Sequence, residues 1–208
     1  MNPTNHWLSA LASLRTWIFP LALICLAWNV LGYAGNPSET LVLVARPSVS
    51  DPMYVRSILV ARQLPGGRYV GLILNKPTEL KLAQAFPDNE ASSALADPLY
   101  LGGPSVGNTV FALVHSPTTP AEGAIALTGD LYLAISESAI DNAMAAAPGE
   151  PARFFIGAVM WQSGELDAEI DQGAWYVLKP TPELVLPART SGLWVDLVRQ
   201  AQQAAKWI

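Results

Sequence analysis

Chemistry in this chain has to be built almost without its usual reagents. The single cysteine, Cys25, lies inside an N-terminal apolar run, and the two histidines are His6 and His115. From Gly35 onward there is no thiol for nucleophilic attack, disulfide formation or metal ligation, and there is one imidazole. A zinc site would need that histidine plus carboxylates alone, so no metal site and no cofactor are expected. One catalytic arrangement remains open to these residue types. It is a hydrolase-like one in which Ser57 attacks, His115 takes its proton and a carboxylate orients the imidazole. No nucleophile-elbow motif accompanies that pair, and no catalytic residue is assigned.

Binding chemistry has more to draw on. Asp51, Arg56 and Ser57 flank a turn into a strand, where they either form a polar corner for a small ligand or partner or brace the turn itself. In the bracing version Asp51 accepts backbone hydrogen bonds and Arg56 pairs with it. Lys76 follows Asn75 and stands just ahead of a helix expected to begin at Thr78. An ammonium beside the free N–H groups of Thr78 to Leu80 would make an anion pocket; the alternative is that Lys76 reaches solvent or a carboxylate. Gly102-Gly103-Pro104-Ser105-Val106-Gly107 has the glycines of a phosphate loop, yet Pro104 removes an amide donor and no Gly-Lys-Ser or Gly-Lys-Thr follows. A turn with positive φ is the expectation there.

Glu165, Asp167, Glu169 and Asp171 alternate along a short helix and either attract a divalent cation or form an ordinary solvated acidic face. Trp161 is a ligand platform or a core residue. The candidate ligand- or partner-binding set is therefore Asp51, Arg56, Ser57, Asn75, Lys76, Gly102, Gly103 and Trp161. It suits a non-enzymatic binding or regulatory module whose groove, near Lys76, Gly102 and Arg56, takes an unknown protein or a small anionic ligand. The hydrolase-like reading through Ser57 and His115 and an envelope-anchored structural role are the alternatives.

Charge removes one class of partner. Lys and Arg number 12 against 17 Asp and Glu, for a net charge of −5, so there is no basic stripe to neutralise phosphates and no nucleic acid is expected. With 208 residues, half of them apolar and 14% charged, the chain can bury one sizeable core.

The elements that must position these residues follow an N-terminal preface. Trp17 to Trp28 reads WIFPLALICLAW, behind Arg15 and within an uncharged stretch from Thr16 to Ser38. Gly32-Tyr33-Ala34 supplies small residues one apart, so a signal peptide cut after Ala34 would leave a mature chain beginning near Gly35. Uncleaved, the stretch is long enough for an anchor, since about 20 residues cross a bilayer core, with Arg15 holding the N-terminus on the cytoplasmic side. Residues 1–34 are thus read as signal peptide or membrane anchor and 35–208 as the domain. The domain is placed in the periplasm, or held facing it by a membrane contact through residues 16–34. A non-functional extension ahead of a cytoplasmic domain is the alternative.

Within the domain, Thr40–Ala45, Arg56–Arg62 and Tyr69–Leu74 are apolar, β-branched runs, the last two joined through Leu-Pro-Gly-Gly as a hairpin. A short helix is expected from Thr78 through Phe86. Strands follow at Leu99–Leu101, Thr109–His115 and Leu131–Ile135, then a helix capped by Ser136 from Glu137 to about Ala147. Phe154–Met160 reads as a buried strand, Gly164–Asp171 as the acidic helix, and Trp175–Val177 and Leu184–Leu186 as short strands. Leu193 to Trp207 closes the chain as an amphipathic helix, with Leu193, Leu197, Ala201 and Ala204 on one face. Strands and helices mix without regular βαβ alternation, which points to a single α+β domain.

Several segments stand in a recognisable order: Asp51-Pro52-Met53-Tyr54-Val55-Arg56-Ser57, then Gly71-Leu72-Ile73-Leu74-Asn75-Lys76-Pro77-Thr78, then Tyr100-Leu101-Gly102-Gly103-Pro104. Leu127-Thr128, Gly157, Trp161, Gly164-Glu165-Leu166 with Glu169, Trp175 and Leu193-Trp194 continue the pattern. Together, over about residues 40 to 200, the chain resembles the YqgE/AlgH family. The resemblance implies an α+β fold with a mixed, bifurcated or partly barrel-like sheet flanked by helices, and no firmly assigned enzymatic activity. Some members carry the label of transcriptional regulator, for alginate synthesis, but no DNA-binding helix is evident here and the acidic balance lends that role no support. The chain also departs from the pattern. Where relatives have a cysteine followed by Glu-His, it reads Arg62-Gln63-Leu64, so a redox role for that thiol does not transfer. The glycine-rich Gly-Trp-Gly-x-Gly-Gln of relatives is here Met160-Trp161-Gln162-Ser163-Gly164-Glu165.

Overall fold

The structure, a computed structural model, describes residues 40–118, 122–145 and 151–204. The segment read as signal peptide or anchor, residues 1–34, lies outside the described residues, as do the last residues of the closing helix. Among the described residues no helix is long and apolar enough to cross a membrane. The described strands are β1 (Thr40–Ala45), β2 (Ile58–Leu64), β3 (Arg68–Ile73), β4 (Pro77–Lys81), β5 (Pro98–Leu101), β6 (Ser105–His115), β7 (Ala124–Thr128), β8 (Leu131–Ala134), β9 (Ala152–Trp161) and β10 (Trp175–Leu178). The helices are α1 (Leu82–Ala85), α2 (Glu90–Ala94), α3 (Glu137–Ala145), α4 (Glu165–Asp171), α5 (Pro182–Val185) and α6 (Leu193–Ala204).

The strands join one curled, largely antiparallel sheet in the order β10-β1-β2-β3-β9-β6-β8-β7, with β5 alongside β9 and β4 paired to β5. The apolar runs explain the middle of that order: β1, β2 and β3 are buried on both faces, as strands inside a covered sheet must be. Strand β9 is where the sheet divides. One of its edges pairs with β6. The other edge is shared, with Val159–Trp161 antiparallel to β3 and Phe155–Ile156 parallel to β5.

Gly157, at φ +71°, sits between those two stretches. Gly102 and Gly103, at the end of β5, slide past it. A Cβ on Gly102 would fall on the carbonyl oxygen of Gly157, and one on Gly103 on the backbone of Ala158. The glycine pair therefore serves a close approach of two backbones. It is not the positive-φ turn expected from the sequence; neither glycine has a positive φ, and it is Val106 that does, at +47°.

Three apolar groups hold the layers. Inside the curl lie Val42, Val44, Ile58, Leu72, Leu113 and Phe155, closed over by Val185 of α5 and Leu197 and Val198 of α6. On the outer face Leu43, Leu59, Ile73, Trp161, Leu166 and Trp175 form a second group. Leu82, Leu99, Ile140, Met144 and Phe154 form a third under α1, α2 and α3. Burying a side chain of this size stabilises by about 1.5–3 kcal/mol, so each group holds its helices in place without help from helix propensity.

Two elements differ from the sequence reading. Residues 77–81 form β4 and not the start of a helix, because the Thr78 hydroxyl donates across to the Leu99 carbonyl at 2.8 Å and the chain continues extended beside β5. The helix begins only at Leu82, where Gln84 closes back on the Lys81 amide at 2.8 Å. Leu184–Leu186, read as a strand, belongs mostly to α5, which starts with Pro182 in its first turn and Thr181 as its cap. Strand β7 and helix α2 were not read at all. Ser136 does cap α3, its hydroxyl accepting the Ala139 amide at 3.2 Å.

Candidate functional site

The first motif, Asp51 to Ser57, is a compact turn between β1 and β2 that its own residues and the end of β3 tie down. Asp51 Oδ1 accepts the Met53 amide at 2.7 Å, and its carbonyl accepts the amides of Tyr54 and Val55 at 3.0 and 2.7 Å. Ser57 Oγ, fully buried, donates to the Tyr54 carbonyl at 2.6 Å. Asn75 spans the far side: its Oδ1 accepts the Ile58 amide and its Nδ2 donates to the Arg56 carbonyl, each at 2.8 Å. Lys76 completes the set, with Nζ donating to the carbonyls of Pro52 at 3.1 Å and Met53 at 2.6 Å.

That geometry corrects the anion pocket. No helix N-terminus lies next to Lys76, and the ammonium points at carbonyl oxygens. Partial burial pulls its pKa below the ordinary lysine value, and the Asp51 charge opposes that shift. The expected Asp51–Arg56 pair is likewise absent among the described residues. Arg56 is exposed, adopts φ +55°, and sets its guanidinium carbon 5.7 Å from the centre of the Trp194 ring. Trp194 is itself fixed by an indole hydrogen bond to the Ala45 carbonyl at 2.8 Å.

The structure thus brings Asp51, Arg56, Ser57, Asn75 and Lys76 together. Gly102 and Gly103 stand at the next crossing, where the Gly102 carbonyl accepts the Ile73 amide at 2.8 Å, and both are buried against β9 with their backbones in contact with it. Trp161 is elsewhere, 3% exposed in the outer-face core, with Nε1 donating to Glu169 Oε2 at 3.2 Å. The same oxygen accepts Nε1 of Trp175 at 2.8 Å. Tyr54 packs edge-on against Trp175, with ring centres 5.9 Å apart. Burial, then the charges of Glu169 and Asp51, push the Tyr54 phenol above its ordinary pKa. Sequence reasoning named Glu169 and Trp175 as pattern residues but missed that one carboxylate ties α4 to both indoles and stands beside the braced turn. The only sequence signal was the shared motif order.

The acidic helix is partly spoken for in the same way: Glu165 Oε2 accepts the Gln162 amide at 2.7 Å. Among the described residues no group of three or more His, Cys, Asp or Glu side chains comes together. Ser57 and His115 make no hydrogen bond to one another; they lie on opposite sides of β3 and β9 in the strand order, and the Ser57 hydroxyl donates to the Tyr54 carbonyl.

The chain matches the model of a family described as AlgH-like over residues 42–206. It is 28% identical to a UPF0301 protein of Chlorobaculum tepidum across 76% of this chain and 83% of that one. A UPF0301 protein of Chlamydia muridarum is 30% identical over the same shares of the two chains. Among solved structures it is similar to the crystal structure of protein DIP2367 from Corynebacterium diphtheriae, with a TM-score of 0.63, 22% identity and coverage of 77% of this chain and 85% of that one. It is also similar to the solution structure of the AlgH protein from Pseudomonas aeruginosa, with a TM-score of 0.62, 22% identity and coverage of 82% and 90%. At that identity the two structures show the fold alone.

Proposed function

The chain belongs to the AlgH-like family, and from that premise we propose that it is a non-enzymatic binding module whose partner-facing surface is the braced turn of residues 51–56. One observation carries the reading. Asp51, Asn75 and Lys76 use hydrogen bonds to hold this turn, and what it presents to solvent is Asp51, Pro52, Val55 and Arg56. A turn fixed by so many side chains loses little entropy on binding, which is how a small surface acquires useful affinity. Arg56 also holds a backbone conformation that costs a non-glycine residue about 1 kcal/mol or more and persists only where surrounding structure enforces it.

The chemistry of the surface fits a protein partner that offers a carboxylate to Arg56 and an apolar side chain to Val55. The Trp194 ring behind the guanidinium keeps it oriented outward. The test is quantitative capture of partners from the native cell by the wild type and by Arg56→Asn and Val55→Ser. Asn tolerates positive φ, so the turn is preserved. Both variants should keep the wild-type circular dichroism spectrum and lose at least tenfold in affinity for whatever the wild type retains. If they hold the same partners with the same affinity, the surface is wrong.

A further inference from the structure

Arg153 has a different environment from every residue considered so far. It lies on β9 opposite Leu113 and two residues before Phe155, so it faces into the curl of the sheet. It is only 9% exposed. Its guanidinium carbon sits 4.7 Å from the centre of the Tyr100 ring, which in turn lies 5.7 Å from that of Phe155. Nη2 donates to the Pro187 carbonyl at 2.6 Å. Nη1 is buried, and among the described residues it has no hydrogen-bond partner and no carboxylate in salt-bridge reach.

A buried cation with no counter-ion and with one of its nitrogens lacking an acceptor is an unfavourable arrangement unless something completes it. What is left over is specific. With one Nη2 proton engaged by Pro187, three N–H donors remain on the two terminal nitrogens, and one from each can form a fork that fits two oxygens of one carboxylate or phosphate group. Pro187 begins the irregular stretch 187–192 between α5 and α6, which belongs to neither helix nor strand and exposes Ala188, Arg189, Ser191 and Gly192. This strap touches Arg153 through the carbonyl of the buried Pro187, and Arg189 adds a second positive charge to it.

We propose that Arg153 is an anion site inside the curled sheet. A small ligand carrying a carboxylate or phosphate group enters when the strap lifts, and places two oxygens on the free fork of the guanidinium, in its plane, while Tyr100 supports the face. The site is separate from the braced turn and stands or falls without it.

The test uses the full chain in chloride, acetate or inorganic phosphate at equal ionic strength, following thermal unfolding and tryptophan emission. Wild type should gain a saturable rise in Tm in acetate or in phosphate over chloride, and whichever anion acts at lower concentration names the group. Arg153→Met, similar in length and uncharged, should show no such rise, yet be at least as stable as wild type in chloride because an unmatched buried charge is gone. Arg153→Lys keeps the charge without the fork and should need at least ten times more anion. The proposal is overturned if wild type and Arg153→Met respond alike, if neither anion acts on wild type beyond chloride, or if Arg153→Met is unfolded or clearly less stable in chloride. That last result would mean packing on Tyr100 and Pro187 is the whole role of the arginine.

Discussion

At the scale of single residues, the polar side chains of the family motif act on the backbone more than on one another. Asn75 is the clearest case, since one amide serves an N–H and a C=O on either side of the turn. Asn75→Ala would leave the Ile58 amide without its acceptor, and the expected loss is about 1–3 kcal/mol in urea denaturation. Tyr54 makes a prediction with a sign. Its folded pKa is raised, so above pH ~10 the unfolded chain ionises this phenol while the folded one keeps the proton, and stability falls with rising pH. Tyr54→Phe removes that contribution, so the stability advantage of wild type over the variant should shrink from about pH 9.5 to about pH 11, across the ordinary phenol pKa of about 10. Lys76 works oppositely. Its lowered pKa means the folded chain gives up a proton before the unfolded one does, which raises stability with pH just below the ordinary lysine value. Both proteins in the comparison share that term, so it cancels.

At the scale of elements, the sequence was informative where a local pattern decides and silent where a distant neighbour does. The runs of β1, β2, β3 and β9 are apolar, and their pattern alone places each to within a few residues; the Ser136 cap likewise marks the start of α3. Thr78 was misread because a threonine hydroxyl serves a helix N-terminus and a neighbouring strand equally well, and its partner, the Leu99 carbonyl, lies 21 residues away. Lys76 does lie beside Asp51, Asn75 and Ser57, but not through an anion pocket: nothing local indicates that the carbonyls of Pro52 and Met53 will face it. The Gly102-Gly103 pair was singled out as a turn, whereas the constraint comes from β9, more than fifty residues on. Gly102→Ala would force β5 away from β9 at the point where the sheet divides. The expected cost is about 3 kcal/mol or more, measured as a lower urea midpoint, and Gly157→Ala should cost at least as much, because its Cβ would meet the Gly103 carbonyl oxygen and its φ is +71°.

At the scale of the whole molecule, residues 42–206 match the AlgH-like family, and the segment 1–34 is proposed as an export signal. Intact-mass analysis of the protein from its native cell should find a chain beginning at Gly35. A soluble full-length chain beginning at Met1 would retire both export and the periplasmic placement. The single strand β9 has a consequence for how such a chain is made. Its two edges serve β3, β5 and β6, yet it is synthesised after all three, as residues 152–161. Until it emerges, the ribosome carries a nascent chain whose earlier strands wait with open edges, exposed to pairing with the wrong partner. The yield of this protein should therefore depend on how well those edges are guarded during the seconds before β9 emerges and closes them.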